Sequence, residues 1–210
     1  KAWTRRAEGL APFFIIDDPA RLQSLARNLG LAAPIKVIER PGEAAAIFVS
    51  ALPVLKTSLA AHTVPGKPEP ANAKAVMAAI ETAVRLTMDG EAGAVVTNPI
   101  HKSTLYAGGF PYPGHTEYLA ALAGVDDVVM MLASDQLRVV PATIHIALDQ
   151  VPRALTPAGL RRTIEITAQE LQSRFGVERP RIAVAGLNPH AGEGGSMGQQ
   201  EIDWIAPLII

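Results

Sequence analysis

The histidines are the side chains of this sequence most able to do chemistry, because a neutral imidazole binds metal ions and a protonated one donates to anions. Four of the five lie at or near the ends of short apolar segments. These four are His101, His115, His145 and His190, whereas His62 lies in a proline-rich loop. In an open α/β sheet the ligand crevice lies beyond the carboxyl ends of the strands. The four strand-end histidines therefore define the candidate site.

His145 and His190 are candidate metal ligands. His145 stands in a segment where residue types alternate with a period of two, and His190 follows an Asn-Pro pair directly after an apolar segment. Two imidazoles make two of the three protein ligands that a catalytic metal site typically has. Neither of the other strand-end histidines is an evident third ligand. The alternatives are a polar residue on a half-solvated strand for His145 and an ordinary loop residue for His190.

A glycine-rich loop follows His190, with glycines at positions 192, 194, 195 and 198. This spacing departs from the dinucleotide-binding pattern G-x-G-x-x-G, because Met197 holds its last required position. The phosphate-loop pattern G-x-x-x-x-G-K-[ST] does not occur either, so an ordinary Rossmann or P-loop site is excluded. The loop suits close approach of backbone amides to a ligand and leads into a helix near Gln199. A mobile surface loop is the alternative.

Further polar side chains cluster between Thr97 and Ala120. Lys102 and the amides at a helix start suit a phosphate or a carboxylate. His115 and Thr116 offer donors to a polar substrate, whereas Glu117 is equally well an ordinary acid in the first turn of a helix. This region therefore predicts contacts to an anionic, polar substrate.

These residues need a scaffold, and the sequence pattern provides one. Short apolar runs predict strands at residues 13–17, 35–39, 92–99, 128–133, 139–148 and 181–187. Helical spacing, caps and prolines predict helices from Asp18-Pro19 to Gly30, from Pro70 to Gly90 and from about Pro157 to Phe175. Strands that alternate with helices of this length predict an α/β fold with a largely parallel sheet covered on both faces.

Composition limits the possible partners. The chain has 210 residues, of which 49% are hydrophobic, enough for one large domain or two small ones. A net charge of -1 excludes the basic footprint of a nucleic-acid-binding protein, and the absence of cysteine excludes thiolate chemistry. No apolar run reaches the roughly 20 residues of a membrane span, and we expect a cytoplasmic protein. Both ends lack the caps of complete elements, so we expect an internal piece of a longer protein.

Three stretches resemble a known family: "VVTNPIHKSTLYAGGFPYPGHTEYLA", "VVMMLASDQLRVVPATIHIAL" and "GLNPHAGEGGSMGQQEID". They closely resemble the PdxA family, the NAD-dependent 4-hydroxythreonine-4-phosphate dehydrogenases of pyridoxal phosphate biosynthesis. The resemblance extends over nearly the whole chain and is weakest over the first part. It implies an isopropylmalate-dehydrogenase-like fold of two α/β domains, truncated here at both ends. Residues 1–110 are expected in the first domain, and residues 111–210, with the metal site and dimer surface, in the second.

The resemblance also implies roles for particular residues. His145 and His190 match the family's metal ligands, and His115 and Thr116 match its substrate-binding pair. The family's third metal histidine is contributed across the dimer and lies beyond the end of this sequence. Lys102 is not implied by the family, and we add it as an accessory anion contact.

The implied reaction is the NAD- or NADP-linked oxidation of 4-phosphohydroxythreonine, with decarboxylation to 3-amino-2-oxopropyl phosphate. It needs one divalent cation, which is zinc, magnesium or cobalt, and a homodimer with a shared active site. One alternative is a related dehydrogenase of a phosphorylated sugar acid or an aromatic cis-dihydrodiol. The other is a non-catalytic domain that binds a metal ion or phosphate.

Overall fold

The computed structural model describes residues 1–209, and the contacts divide the chain into one unit from Lys1 to Asp127 and another that begins at Val128. The strands of the first unit are β1 (Ile15–Asp17), β2 (Ile35–Ile38) and β3 (Leu52–Lys56). Its α-helices are α1 (Pro19–Asn28), α2 (Ala44–Phe48), α3 (Ala73–Met88), α4 (Lys102–Ala107) and α5 (His115–Ala123). Strands and helices alternate over its first half, which confirms the predicted α/β class.

The sheet of the first unit is parallel, with the strand order β1-β3-β2. The central strand β3 is buried from Leu52 to Val54, and the sequence pattern does not predict it because proline argues against a central strand. Pro53 pairs with Lys36 of β2, whereas the ladder with β1 begins one residue later, at Val54. Pro53 therefore lies outside the ladder between β3 and β1, and this ladder does not need the N–H group that proline lacks.

Helix α1 follows the predicted pattern closely. The Asp18 carboxylate caps its start by accepting from the backbone N–H groups of Arg21, at 3.0 Å, and Ala20, at 2.8 Å. These two hydrogen bonds hold the pKa of Asp18 below its ordinary value. The chain leaves the helix through Gly30, whose φ of +62° suits a residue without a side chain. The prediction for this segment is confirmed.

The predicted helix from Pro70 to Gly90 is also confirmed, as a 3₁₀ turn followed by α3. Its apolar face packs with α4 and α5 in one core cluster of Ala73, Ile80, Val84, Leu105, Phe110 and Tyr118. The Tyr118 hydroxyl donates to Oε1 of Glu81 at 2.7 Å. Desolvation by burial, and next this hydrogen bond, raise the pKa of Tyr118. Helix α5 therefore packs in the first unit, and the domain boundary after residue 110 stays a prediction.

The second unit has less regular structure. Its elements are β4 (Leu132–Ala133), β5 (Arg138–Val139), α6 (Val151–Ala154), α7 (Pro157–Ser173) and α8 (Ala206–Ile209). Helix α7 confirms the predicted helix from Pro157, and the Thr156 hydroxyl caps it by accepting from the Gly159 N–H at 3.1 Å. The strands β4 and β5 form an antiparallel pair.

Four predicted strands are wrong wholly or in part. Residues 92–99 and 181–187 form no strand. Of residues 128–133 only the last two pair, as β4, and of residues 139–148 only Val139 pairs, as part of β5. An apolar sequence alone does not make a strand, because the backbone N–H and C=O groups of a strand need to pair with those of a neighbouring strand. Val96, for example, is 95% exposed. The parallel sheet that the structure describes therefore has only three strands.

Candidate functional site

His115 and Thr116 are the first two residues of α5 in the first unit. Both side chains are half-buried, and Nε2 of His115 is shielded from solvent with no hydrogen-bond partner among the described residues. Leaving a buried polar atom unpaired costs about 1–3 kcal/mol. The position of His115 therefore favours a ligand that supplies the missing partner.

The side chains of Lys102 and Glu117 both lie close to Gly114, the residue that precedes α5. A methyl group placed on Gly114 would lie 2.7 Å from Oε2 of Glu117 and 3.5 Å from Nζ of Lys102. Gly114 has extended backbone, with a φ of -164°, and a side chain at this position requires the end of the Glu117 side chain to move. The structure thus places the exposed Lys102 ammonium beside the turn that leads into His115, as an anion contact requires.

His101 also lies in the first unit, at the N-cap of α4. Its Nδ1 is 2.6 Å from the Thr104 hydroxyl and 3.3 Å from the Ser103 hydroxyl, so these hydroxyls fix the imidazole. A groove of about 1930 Å³ in this unit is lined by His101, His115 and His62, together with the segment 92–100. His62, which the sequence places apart from the site, therefore shares this groove with two strand-end histidines.

His190 lies in the second unit, in a loop tied together by Asn188. The side-chain oxygen of Asn188 accepts from the His190 N–H at 2.8 Å, and its amide donates to the Met197 carbonyl at 3.1 Å. Nδ1 of His190 is 3.4 Å from a carboxylate oxygen of Glu193, which is ion-pair distance. Metal-binding histidines usually direct their second ring nitrogen toward a carboxylate or carbonyl. The surroundings of His190 therefore fit metal ligation through Nε2.

The backbone after His190 is left-handed over five consecutive residues. The φ angles of residues 191–195 are +47°, +77°, +43°, +61° and +97°, and two of these residues, Ala191 and Glu193, are not glycine. A left-handed residue with a side chain costs roughly 1–2 kcal/mol. The loop is thus strained, and such strain persists only where the surrounding contacts hold it.

His145 does not lie on a strand, contrary to the alternation of its segment. It is exposed on a bend with a φ of +58°, which breaks the period of two. Within residues 1–209, no three side chains of the His, Cys, Asp or Glu type lie together as a metal site. Imidazole donors suit zinc or cobalt better than magnesium, which prefers oxygen ligands. The assignment of His145 and His190 as a ligand pair stays a prediction.

The sequence analysis missed two acidic residues of this loop region. Glu193 follows His190 by three positions, and this H-x-x-E spacing is a signal that the sequence does carry. Glu201 accepts a hydrogen bond from the Leu187 N–H at 2.8 Å, across 14 residues of chain. No local pattern predicts a contact of that separation.

The parallel sheet and the helices that alternate with it define an α/β protein. Residues 9–210 match the family described as "Pyridoxal phosphate biosynthetic protein PdxA", and the chain belongs to this family. The resemblance seen in the sequence motifs is therefore confirmed. No helix within residues 1–209 has the length and apolar character needed to cross a membrane.

Individual relatives agree with the family. The 4-hydroxythreonine-4-phosphate dehydrogenase of Ruegeria sp. (strain TM1040) is 52% identical over 210 residues, which cover 99% of this chain and 62% of that protein. A crystal structure of 4-hydroxythreonine-4-phosphate dehydrogenase from Klebsiella pneumoniae matches 95% of this chain and 60% of its own, at 32% identity and a TM-score of 0.84. The chain thus spans about three-fifths of the length of these relatives.

A different dehydrogenase also matches. The terephthalate 1,2-cis-dihydrodiol dehydrogenase of Burkholderia xenovorans LB400 aligns over 98% of this chain and 63% of its own. Its sequence identity is 27% and its TM-score is 0.63, both lower than for the Klebsiella structure. The fold is therefore shared with an enzyme that is named for a different substrate.

Proposed function

We propose that the protein oxidises 4-phosphohydroxythreonine with NAD or NADP and decarboxylates the product to 3-amino-2-oxopropyl phosphate, a reaction of pyridoxal phosphate biosynthesis. Membership of the PdxA family supports this proposal. The observation that carries it is the unpartnered Nε2 of His115 at the start of α5, because it marks a position where a polar ligand satisfies a buried group.

His115 and Thr116 orient the substrate by hydrogen bonds at the N-terminal end of α5, where the helix dipole favours negative charge. Lys102 adds a positive charge beside Gly114 and is suited to a phosphate or carboxylate oxygen. Holding the substrate in its reactive orientation lowers the free-energy barrier of the reaction, by several kcal/mol where the orientation is nearly ideal. These residues therefore bind and position the substrate rather than carry out bond breaking themselves.

We further assign His145 and His190 as ligands of one divalent cation, with zinc or cobalt favoured over magnesium by the imidazole donors. When bound, such a cation acidifies a coordinated hydroxyl and polarises a carbonyl. The Glu193 carboxylate lies 3.4 Å from Nδ1 of His190, a position suited to a second partner of the imidazole when Nε2 binds the cation.

The proposal for the whole protein is an isopropylmalate-dehydrogenase-like enzyme with a domain boundary after residue 110. We propose that it is a cytoplasmic homodimer in which the two subunits share the active site. Size-exclusion chromatography with light scattering tests the dimer: a concentration-independent monomer contradicts it.

The second candidate is a dehydrogenase of an aromatic cis-dihydrodiol, which the match to the Burkholderia xenovorans structure favours. The two candidates differ in the substrate's anionic group, which is a phosphate in the first and a carboxylate in a cis-dihydrodiol of terephthalate, and Lys102 beside α5 suits either anion. These candidates, and a phosphorylated sugar acid, are therefore separated only by direct comparison of substrates.

Calorimetric binding of 4-phosphohydroxythreonine tests the assignment of the substrate site. We expect His115→Ala to weaken binding by roughly tenfold or more, which corresponds to the loss of one hydrogen bond to a charged group. Lys74→Ala, an exposed cation on α3, is the control and keeps the wild-type affinity. Equal affinity for the His115 variant and the control contradicts the assignment, and tighter binding of a cis-dihydrodiol favours the second candidate.

A further inference from the structure

Glu201 connects a helical turn to the loop that carries His190. It begins a π-helical turn, Glu201–Ile205, and its Oε1 accepts from the Leu187 N–H at 2.8 Å. Leu187 is the last residue before the Asn188-Pro189-His190 turn. Single π-helical turns are rare and occur frequently at functional sites. The Glu201 carboxylate thus fixes the point at which the chain enters the His190 turn.

The second carboxylate oxygen of Glu201, Oε2, lies near Gly192, in the middle of the same loop. A methyl group placed on the buried Gly192 would lie 3.0 Å from Oε2 of Glu201 and 2.7 Å from the Gly198 carbonyl oxygen. This Oε2 atom is shielded from solvent and has no hydrogen-bond partner among the described residues. One side chain therefore lies against the loop on both sides of His190, by a hydrogen bond at Leu187 and by close packing near Gly192.

A strained loop needs such contacts to keep one conformation. Ala191 and Glu193 flank Gly192 with φ angles of +47° and +43°. Asn188 holds the loop from within, through the His190 N–H and the Met197 carbonyl. Glu201 holds it from the following helical turn, so removal of its carboxylate releases the entry of the loop while the Asn188 contacts persist.

We propose that Glu201 is a positioning residue, which fixes the backbone from Leu187 to Gly192 and thereby the His190 imidazole. The proposal rests on the proposed function in one respect, namely that His190 binds the divalent cation. The proposed role of Glu201 requires a side-chain oxygen that accepts the hydrogen bond from the Leu187 N–H. An uncharged glutamine retains such an oxygen, and an alanine does not.

The experiment compares Glu201→Ala, Glu201→Gln and Glu201→Asp in the purified protein, with Asp203→Ala as the control. Asp203 is an exposed acid on the same π-helical turn. Two quantities are measured: hydrogen exchange of the Leu187 amide by NMR, and Co²⁺ affinity by the visible absorption of the bound ion. His190→Ala is measured alongside for Co²⁺ affinity.

In Glu201→Ala we expect faster exchange of the Leu187 amide. We also expect a Co²⁺ affinity about tenfold weaker, the lower end of the range for loss of a ligand's own hydrogen-bond partner, because Glu201 acts through the backbone. Glu201→Asp, whose shorter side chain does not reach Leu187, behaves in the same way and serves if the alanine variant does not fold. Glu201→Gln and Asp203→Ala retain both wild-type values.

Three results overturn the proposal. The first is unchanged exchange of the Leu187 amide in Glu201→Ala and Glu201→Asp, and the second is unchanged Co²⁺ affinity in these two variants while His190→Ala lowers the affinity. The third is a loss of Co²⁺ affinity in Glu201→Gln. The last result means that the charge of Glu201 acts on the ion directly. Failure of the proposed function is recognised separately, because His190→Ala then leaves Co²⁺ affinity unchanged. In that case the exchange of the Leu187 amide alone decides whether Glu201 holds the loop.

Discussion

The substitution Gly192→Ala tests how closely the loop that carries His190 is packed. Gly194 provides a matched control, since its φ of +61° is also left-handed but a methyl group there meets nothing within 4 Å. For Gly194→Ala, roughly 1–2 kcal/mol of left-handed strain is offset by about 0.4–1 kcal/mol from the less flexible unfolded chain. The net loss of unfolding free energy is therefore about 1 kcal/mol.

Gly192→Ala carries the same strain at a φ of +77° and adds two close contacts, 2.7 Å to the Gly198 carbonyl oxygen and 3.0 Å to Oε2 of Glu201. Overpacking of this kind costs typically about 1–3 kcal/mol. We expect a total loss of about 2–4 kcal/mol, which exceeds that of the control because the backbone carbonyl cannot move away freely.

The assay is urea unfolding followed by the fluorescence of Trp204, which lies in the second unit, in a Trp3→Phe background that removes the other tryptophan. Urea midpoints convert to free energies through a common slope. Equal losses for the Gly192 and Gly194 variants refute the packing of Gly192 against the Glu201 carboxylate.

Three further predictions concern the first unit, and thermal or urea unfolding followed by circular dichroism measures each. Asp18→Ala costs about 1 kcal/mol of unfolding free energy at neutral pH through loss of the helix cap. Because the pKa of Asp18 is lowered in the folded protein, this contribution is present above about pH 4 and is lost as the pH falls further. Equal losses at pH 7 and well below pH 4 contradict this prediction. Gly108→Ala destabilises strongly, because its methyl group would lie 2.2 Å from Cβ of Ala73, and an added Ala73→Gly substitution restores part of the stability. Tyr118→Phe costs about 0.5–1.5 kcal/mol by removing the hydrogen bond to Glu81, and no loss at all contradicts that bond.

The three longest helices, α1, α3 and α7, are predictable from the sequence, because their signals are local. The Asp18-Pro19 pair and the Thr156-Pro157 pair each place a capping oxygen before a proline at the first helical position, and both helices begin there. The strands are less predictable, because pairing is not local. The segment 181–187 is as apolar as β2, yet only β2 has a neighbour with which its backbone pairs.

The candidate site is predictable in part, for the same reason. His115 and Thr116 follow from a motif of adjacent residues, and the unpartnered Nε2 of His115 is a structural fact that no spacing reveals. The glycine spacing departs from that of a phosphate loop, and that exclusion stays a prediction. The left-handed run at residues 191–195 includes Ala191 and Glu193, which sequence propensity does not place there. The contact between Leu187 and Glu201 emerges only when the chain folds back.

The most direct test of the proposed function is the formation of NADH or NADPH by the full-length protein from 4-phosphohydroxythreonine, with NAD or NADP and with Co²⁺ or Zn²⁺. We predict turnover in the wild-type protein and its loss in His145→Ala and His190→Ala, with Lys74→Ala unaffected. Wild-type turnover in both histidine variants at saturating metal contradicts the ligand assignment. Absence of NADH and NADPH formation from a folded, metal-loaded dimer contradicts the proposed function as a whole.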